Sequence, residues 1–191
     1  MSATRIEAVV IGASAGAVEA LSAILPHLPA DYPLPVLVVV HVPADRRNSL
    51  TPLFQSKCRI AVREADDKEP VVGGTVYFAP PDYHLLVETD RTLSLSADDP
   101  VLYSRPSIDV LFESAAEAYG PALAGVVLTG ANQDGARGLA AVEEAGGIAL
   151  VEDPATACSS TMPLAALHGC TAARALSLDA IASRLLDLGG I

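Results

Sequence analysis

The sequence has no long apolar run and few aromatic residues. It contains no tryptophan and 4% aromatic residues, and its apolar residues come in short runs broken by glycine and proline. None of these runs approaches the roughly 20 apolar residues that a helix needs to span a bilayer. The stretch before Ala8 has no basic region followed by a signal-like apolar segment. The sequence therefore predicts a cytoplasmic protein with no direct membrane insertion.

Positive charge is also scarce, with 12 Lys and Arg against 23 Asp and Glu and a formal net charge of −11. Proteins that bind nucleic acid gain much of their affinity from Lys and Arg that neutralise phosphates. The only adjacent basic pair, Arg46-Arg47, is explained by a solvated surface. We therefore expect no nucleic-acid partner, and the acidic surface also disfavours binding to anionic lipid.

Cysteine and histidine are few and show no spacing that suits a metal site or a disulfide framework. The odd set of cysteines is predicted to serve as small buried or partly buried fillers: Cys58, Cys158 and Cys170. A structural role is expected for three histidines, respectively on a helix, at the start of a hairpin strand and in a late loop: His27, His84 and His168. The sequence predicts no metal and no cofactor.

The chain is 51% hydrophobic and only 4% aromatic, so most of its apolar residues are aliphatic. Its 191 residues fit a single domain over residues 1–191. Apolar runs predict strands at Glu7–Ile11, Val36–Val40, Ile60–Arg63, Thr75–Phe78, Ala124–Leu128 and Ile148–Val151. A hairpin is expected from Leu85–Glu88 and Thr92–Ser96. Helical spacing predicts one helix through Val18, Leu21, Ile24 or Leu25, and Leu28, and others at 107–119 with Ser107 as N-cap, at 136–145 and at 178–188. The predicted fold class is α/β, with a doubly wound, mostly parallel sheet, helices on both faces and a small antiparallel hairpin.

Three polar residues follow strands of this sheet. Ser14 follows the first strand, His41 the second, and Asp134 lies in the loop after Ala124–Leu128. In open α/β sheets the ligand site lies beyond the carboxyl ends of the strands. A nucleophile, a base and a carboxylate from three strand ends can therefore converge on one point.

Each of these residues also has a simpler interpretation. Gly12-Ala13-Ser14-Ala15-Gly16 matches the G-x-S-x-G nucleophile turn, but such a turn can also bind phosphate or carry Ser14 as a plain helix cap. His41 is suited to act as a base for serine, and equally to satisfy a strand end. Asp134 beside Gly135 is ordinary turn or cap composition, and alternatively the carboxylate that orients a histidine.

Ordered motifs along the chain resemble the catalytic domain of CheB-type protein-glutamate methylesterases of bacterial chemotaxis. The segments are VVIGASAGAVEAL, LVVVHVP, EADD with GGTVYFAPPDYHLLV, SRPSIDVLFESAAEAYG, GVVLTGANQDGARGL, AGG, and ED-A with Met162-Pro163. The resemblance implies a Ser14, His41 and Asp134 triad that hydrolyses γ-glutamyl methyl esters on the cytoplasmic helices of methylated chemoreceptors. It also implies that glutamine deamidation on the same partners is possible.

The sequence departs from that family around the predicted site. The residues that differ from the usual family pattern are Ala15, Ala17, Val40, Ala131-Asn132 and Leu164. The family's usual N-terminal receiver domain is not in this sequence, so we expect any regulator to be a separate protein.

The resemblance implies a two-step mechanism. His41 accepts the Ser14 proton, Ser14 attacks the ester, and the backbone amides near Ala15 and Ala131 receive the oxyanion. Two alternatives stay open at this stage. One is a catalytically impaired binding module for a helical signalling partner, and the other is a hydrolase for small soluble esters.

Overall fold

A computed structural model describes residues 4–41 and 50–191 of the chain. The strands are β1 (Ala8–Ala13), β2 (Val36–Val40), β3 (Ala61–Glu64), β4 (Thr75–Phe78), β5 (His84–Val87), β6 (Leu93–Ser96), β7 (Leu123–Val127), β8 (Ile148–Glu152) and β9 (Arg174–Leu176). The helices are α1 (Ala17–Ile24), α2 (Leu50–Lys57), α3 (Ile108–Tyr119), α4 (Ala136–Glu144), α5 (Thr161–Gly169) and α6 (Leu178–Gly189). Short 3₁₀ turns lie at Leu25–His27 and Gly120–Ala122.

One parallel sheet organises these elements, with the strand order β3-β4-β2-β1-β7-β8-β9, while β5 and β6 pair antiparallel on their own. The central strands β1, β2 and β7 are buried at every position. Runs of β-branched and aliphatic residues suit strands that are covered on both faces. The doubly wound α/β prediction and its hairpin are confirmed.

Alternate residues of each strand pack on opposite faces of the sheet. On one face Val9, Ile11 and Val38 pack with residues of α1, α2 and α6. On the other face Val10, Leu37 and Val39 pack with residues of α3, α4, α5 and the β5–β6 hairpin. Each face of the sheet thus has its own apolar core, which leaves the loops at the strand ends as the free surface.

Several local predictions need correction. Helices α2 and α5 and strand β9 were not predicted, and His168 lies in α5 and not in a late loop. Helix α5 contains Pro163 in its first turn, where proline is tolerated, and lacks a clear apolar stripe. Val18 is 38% exposed, so the apolar face of α1 is formed by Ala17, Ala20, Leu21 and Ile24. No helix in the described part of the chain is both long and apolar enough to cross a membrane.

Candidate active site

The strand order places the segments that carry the predicted site residues next to one another. β1 lies between β2 and β7, and Ala13 pairs with Val40 in the register of β1 and β2. The pairing continues past the strands, since the His41 amide donates to the Ala13 carbonyl at 3.2 Å and the Ser14 amide donates to the Thr129 carbonyl at 2.9 Å. β1 also lies where the chain changes its direction along the sheet, which is the expected ligand position in this architecture.

The two glycines of the Ser14 turn have separate structural reasons. Gly16 precedes α1 with φ of 85°, a conformation that favours glycine, and a Cβ there would lie 2.6 Å from the Cβ of Cys158. A Cβ at Gly12 would lie 2.3 Å from Cγ2 of Ile108, the first residue of α3. Gly12 thus allows the start of α3 to sit on the end of β1, beside Ser14.

Thr129 supports the Ser14 turn from the β7 side. Its carbonyl accepts the Ser14 amide, and its hydroxyl donates to the Ala15 carbonyl at 2.7 Å. The Thr129 amide in turn donates to Glu152 Oε2 at 2.7 Å, and Glu152 is only 2% exposed. Burial raises the pKa of Glu152, against the opposing effect of the Thr129 amide. The buried Glu152 carboxylate thus positions Thr129, which in turn hydrogen-bonds to the Ser14 turn.

His41 and Asp134 are joined directly. Nε2 of His41 lies 2.7 Å from Oδ2 of Asp134, with side-chain exposures of 12% and 0%. With Asp134 ionised, the carboxylate accepts a hydrogen bond from the Nε2–H group, so the neutral ring keeps its lone pair on Nδ1. The free lone pair is the one a nucleophile would need for its proton.

Asp134 is held at the N-terminus of α3, an element far from it in sequence. Its Oδ2 accepts the Ile108 amide at 2.7 Å, and its Oδ1 accepts the Asp109 amide at 3.0 Å and the Ser107 hydroxyl at 2.9 Å. The first amides of a helix have no partner within the helix and favour a negative charge. Asp134 supplies that charge from another element.

The ionisation of Asp134 follows from this setting. Burial acts most strongly and disfavours the charge, but the hydrogen bonds from His41 and from the amides of Asp109 and Ile108 outweigh it. The pKa of Asp134 is therefore lowered. Asp134 is consequently a charged acceptor for His41 at neutral pH.

Ser107 has a different role from the one its sequence context predicts. It is the N-cap residue of α3, as predicted, but its side chain makes no capping bond to its own helix. The hydroxyl donates to Asp134 instead, and the Ser107 amide donates to Nδ1 of His84 at 3.1 Å. Since an amide can only donate, His84 carries its proton on Nε2, which lies 3.1 Å from the Asp99 carbonyl. His84 thus positions Ser107, whose hydroxyl donates to Asp134.

The remaining predicted site groups lie at the surface of the same strand ends. Ser14 is half-buried, and Ala15 and Ala131 are exposed. Within residues 4–41 and 50–191, the Ser14 hydroxyl makes no hydrogen bond to the His41 ring, and the amides of Ala15 and Ala131 donate none to the protein. Catalytic hydrogen bonds are commonly longer without substrate and tighten in the complex.

The surroundings of these groups correct one prediction and add detail to another. Cys58 is half-buried and Cys170 is buried, but Cys158 is exposed and packs beside Gly16, so Cys158 is not a filler. Leu164, which replaces the usual arginine, is 45% exposed on α5, whereas Met162 is buried against Gly130. In the part of the chain that the structure describes, no group of three His, Cys, Asp or Glu is placed to hold a metal ion.

The supporting residues of the site were not predicted from the sequence. One is Ser107, whose hydroxyl donates to Asp134. The others are Asp109, Thr129 and Glu152. Each lies in a quoted motif, but their roles depend on contacts between distant segments. A buried acidic residue at the end of an aliphatic strand, as at Glu152, was the one local signal of a partnered carboxylate.

By fold and site geometry, the molecule is a doubly wound α/β protein with a histidine–carboxylate pair at the carboxyl ends of its central strands. The CheB methylesterase family profile matches residues 9–185. A relative from Leptospira interrogans, provisionally named a protein-glutamate methylesterase/protein-glutamine glutaminase, is 46% identical over 95% of this chain and 94% of its own length. A relative of the same named activity from Symbiobacterium thermophilum is 40% identical over 93% of this chain and 49% of its own length.

A solved structure agrees with these sequence matches. The crystal structure of the Thermotoga maritima CheB methylesterase catalytic domain is similar with a TM-score of 0.89 and 33% identity, over 96% of this chain and 98% of that one. The chain therefore belongs to the CheB methylesterase family, a family of carboxylic ester hydrolases. It spans nearly the whole length of the Leptospira relative and about half the length of several others.

Proposed function

We propose that this protein is a protein-glutamate methylesterase that hydrolyses glutamate methyl esters on chemoreceptor-type helices, with Ser14 as nucleophile, His41 as base and Asp134 as the orienting carboxylate. The observation that carries the proposal is the 2.7 Å contact between His41 Nε2 and the fully buried Asp134 Oδ2, at the strand ends that also carry Ser14. Family membership and the named activity of the relatives support glutamate methyl esters on proteins as the substrate class.

The first half of the reaction transfers the acyl group to Ser14. His41 takes the hydroxyl proton on Nδ1 while Ser14 Oγ attacks the ester carbonyl, and the charged Asp134 stabilises the imidazolium that forms. The exposed amides of Ala15 and Ala131 are the proposed donors to the oxyanion. The tetrahedral adduct then expels methoxide, which takes the proton from His41 and leaves as methanol.

The second half restores the enzyme. His41 removes a proton from water, the hydroxide attacks the acyl-serine, and Ser14 leaves with the proton returned by His41. The product is the free glutamate side chain. Deamidation of glutamine follows the same steps with ammonia as leaving group, and it forms part of the proposal on the strength of the relatives' names alone.

The test is methanol release from a methylated receptor fragment. Wild-type protein is expected to release methanol, and Ser14→Ala to release none above background. Ser183→Ala, on the exposed face of α6, is the matched control and should equal wild type. Equal release by wild type and Ser14→Ala would refute the proposed nucleophile.

No release by wild type, with receptor binding intact, would favour a binding module. Turnover of p-nitrophenyl esters without release from receptor would favour a hydrolase of small soluble esters.

A further inference from the structure

The N-termini of α3 and α4 each receive a carboxylate from the other helix's end. Asp134, just before α4, accepts the amides of Ile108 and Asp109 at the start of α3. In return, Oδ1 of Asp109 accepts the amides of Gly135 at 2.9 Å and Gly138 at 2.7 Å at the start of α4. The two carboxylates therefore cap each other's helix.

Glycines make this exchange sterically possible. Gly135 has φ of 98°, and a Cβ there would lie 2.9 Å from Cγ2 of Ile108. A Cβ at Gly138 would lie 2.6 Å from Cβ of Phe112 and 3.0 Å from Cα of Asp109. The helix ends approach closely only because these positions have no side chain.

The chain contains a matched counterexample in α6. Ser107-Ile108-Asp109 and Ser177-Leu178-Asp179 are the same type of helix start, each with Ser as N-cap and Asp in the first turn. At α6, Ser177 caps its own helix by accepting the Ala180 amide at 3.2 Å, and Asp179 is exposed. At α3 the side chains of Ser107 and Asp109 make no capping hydrogen bond to their own helix, and Asp109 is only 3% exposed. The α3 start is therefore arranged around Asp134.

We propose that Asp109 is a positioning residue for the His41–Asp134 pair, acting through the Gly135 and Gly138 amides that its carboxylate holds. Gly135 follows Asp134 directly, so a fixed Gly135 amide fixes the peptide on which Asp134 stands. Asp109 touches neither the reacting atoms nor His41 in this arrangement. The proposed role rests on the proposed function only for its kinetic readout.

The charge of Asp109 gives a readout that a purely structural role would not. Burial, more than the neighbouring Asp134 charge, raises the pKa of Asp109 to about 6, against the opposing effect of the Gly138 amide. Asp109 is therefore mostly ionised at neutral pH and adds a negative charge beside Asp134. The titratable and charged groups around Asp109 on its own and the packed elements are Asp134, Arg137, Glu113, His168 and, through Ser107, His84.

The experiment compares Asp109→Asn and Asp109→Ala with Asp179→Asn and Asp179→Ala. Its first readout needs no substrate: the downfield NMR signal of the His41 Nε2 proton, assigned by its loss in His41→Gln. We expect Asp109→Ala to broaden or abolish this signal, because two amides lose their acceptor. Asp109→Asn should keep it, since one oxygen acceptor remains, but at a changed position, because a neighbouring negative charge is lost. The Asp179 variants should match wild type.

The second readout is methanol release as a function of pH. Asp109→Ala should lower kcat about ten- to hundredfold, as expected for a misplaced catalytic group, with KM nearly unchanged. Asp109→Asn should retain most of kcat.

The outcomes separate this proposal from the proposed function. A wild-type signal of the His41 Nε2 proton in both Asp109 variants would overturn it, as would equal changes in the Asp179 variants. If Asp109→Ala does not fold, the position of the His41 Nε2 proton signal in Asp109→Asn decides alone. If wild type releases no methanol but the NMR changes occur, positioning stands and the methylesterase proposal fails.

Discussion

The carboxylate of Asp134 stands between two partners of different kinds, since its Oδ2 lies 2.7 Å from His41 Nε2 and also 2.7 Å from the Ile108 amide. One contact faces the proposed chemistry and the other faces the start of α3. The same oxygen therefore links the orientation of His41 to the position of a helix. Substitutions at Asp134 and around it should affect both catalysis and stability.

Asp134→Asn tests the orienting role of the carboxylate. An asparagine amide can donate to His41 and then stabilises the wrong tautomer, with the proton on Nδ1. We expect kcat to fall by about 10⁴-fold, the size of effect known for this change in a serine protease triad. Methanol release at saturating receptor fragment measures it. Asp179→Asn, in the exposed first turn of α6, is the control, and a similar loss in both variants would contradict the assignment.

Asp109 gives a prediction about stability. Its pKa is raised to about 6 in the folded protein, so between about pH 4 and pH 6 the folded state keeps a proton that the unfolded chain has lost. The stability that comes from this proton is complete below about pH 4 and is lost as pH rises through 6. The free energy of unfolding of wild type should therefore fall relative to Asp109→Asn over that range.

Urea titrations of the two proteins at a series of pH values measure this difference. Asp179→Asn, in the exposed first turn of α6, is the control for these titrations. A constant difference between wild type and Asp109→Asn from pH 4 to 7 would show that Asp109 does not hold the proton.

Cys158 gives a chemical test of the site's location. It is the exposed cysteine of the three and packs beside Gly16, two residues after Ser14. A maleimide adduct at Cys158 should therefore block access to Ser14 and reduce methanol release strongly. Burial raises the pKa of both Cys58 and Cys170 to about 11, which makes these thiols unreactive at neutral pH.

Cys158→Ala is the control for this modification. It should retain activity before treatment and stay active after it. Inhibition of Cys158→Ala by the same reagent would place the sensitive thiol elsewhere.

The sequence predicted the sheet well because its strands are aliphatic runs buried on both faces, as in β1 and β2. Ser14, His41 and Asp134 were recognisable because each follows such a strand. The supporting contacts were not predictable in the same way. Ser107 and Ser177 begin helices in nearly the same local sequence. Ser177 nevertheless caps its own helix, whereas Ser107 donates to Asp134. Only the packing of α3 against α4 separates them.

Other misses have equally local reasons. Helix α5 has no clear apolar stripe and contains Pro163, so periodicity did not predict it and His168 was expected in a loop. β9 has three residues and lies at the sheet edge, too short for a hydrophobic pattern. Cys158 was expected to be buried or partly buried because most free cysteines are, but its position beside Gly16 follows from the turn after β8 and from no local feature.

The most direct test of the central claim, a Ser14 activated by His41 and Asp134, is labelling by a fluorophosphonate followed by peptide mass spectrometry. It needs no knowledge of the receptor. The account predicts a stoichiometric adduct on Ser14 in wild type, a strongly slowed reaction in His41→Gln and none in Ser14→Ala. Absence of an adduct on Ser14 in folded wild-type protein, or equal labelling of wild type and His41→Gln, would contradict it.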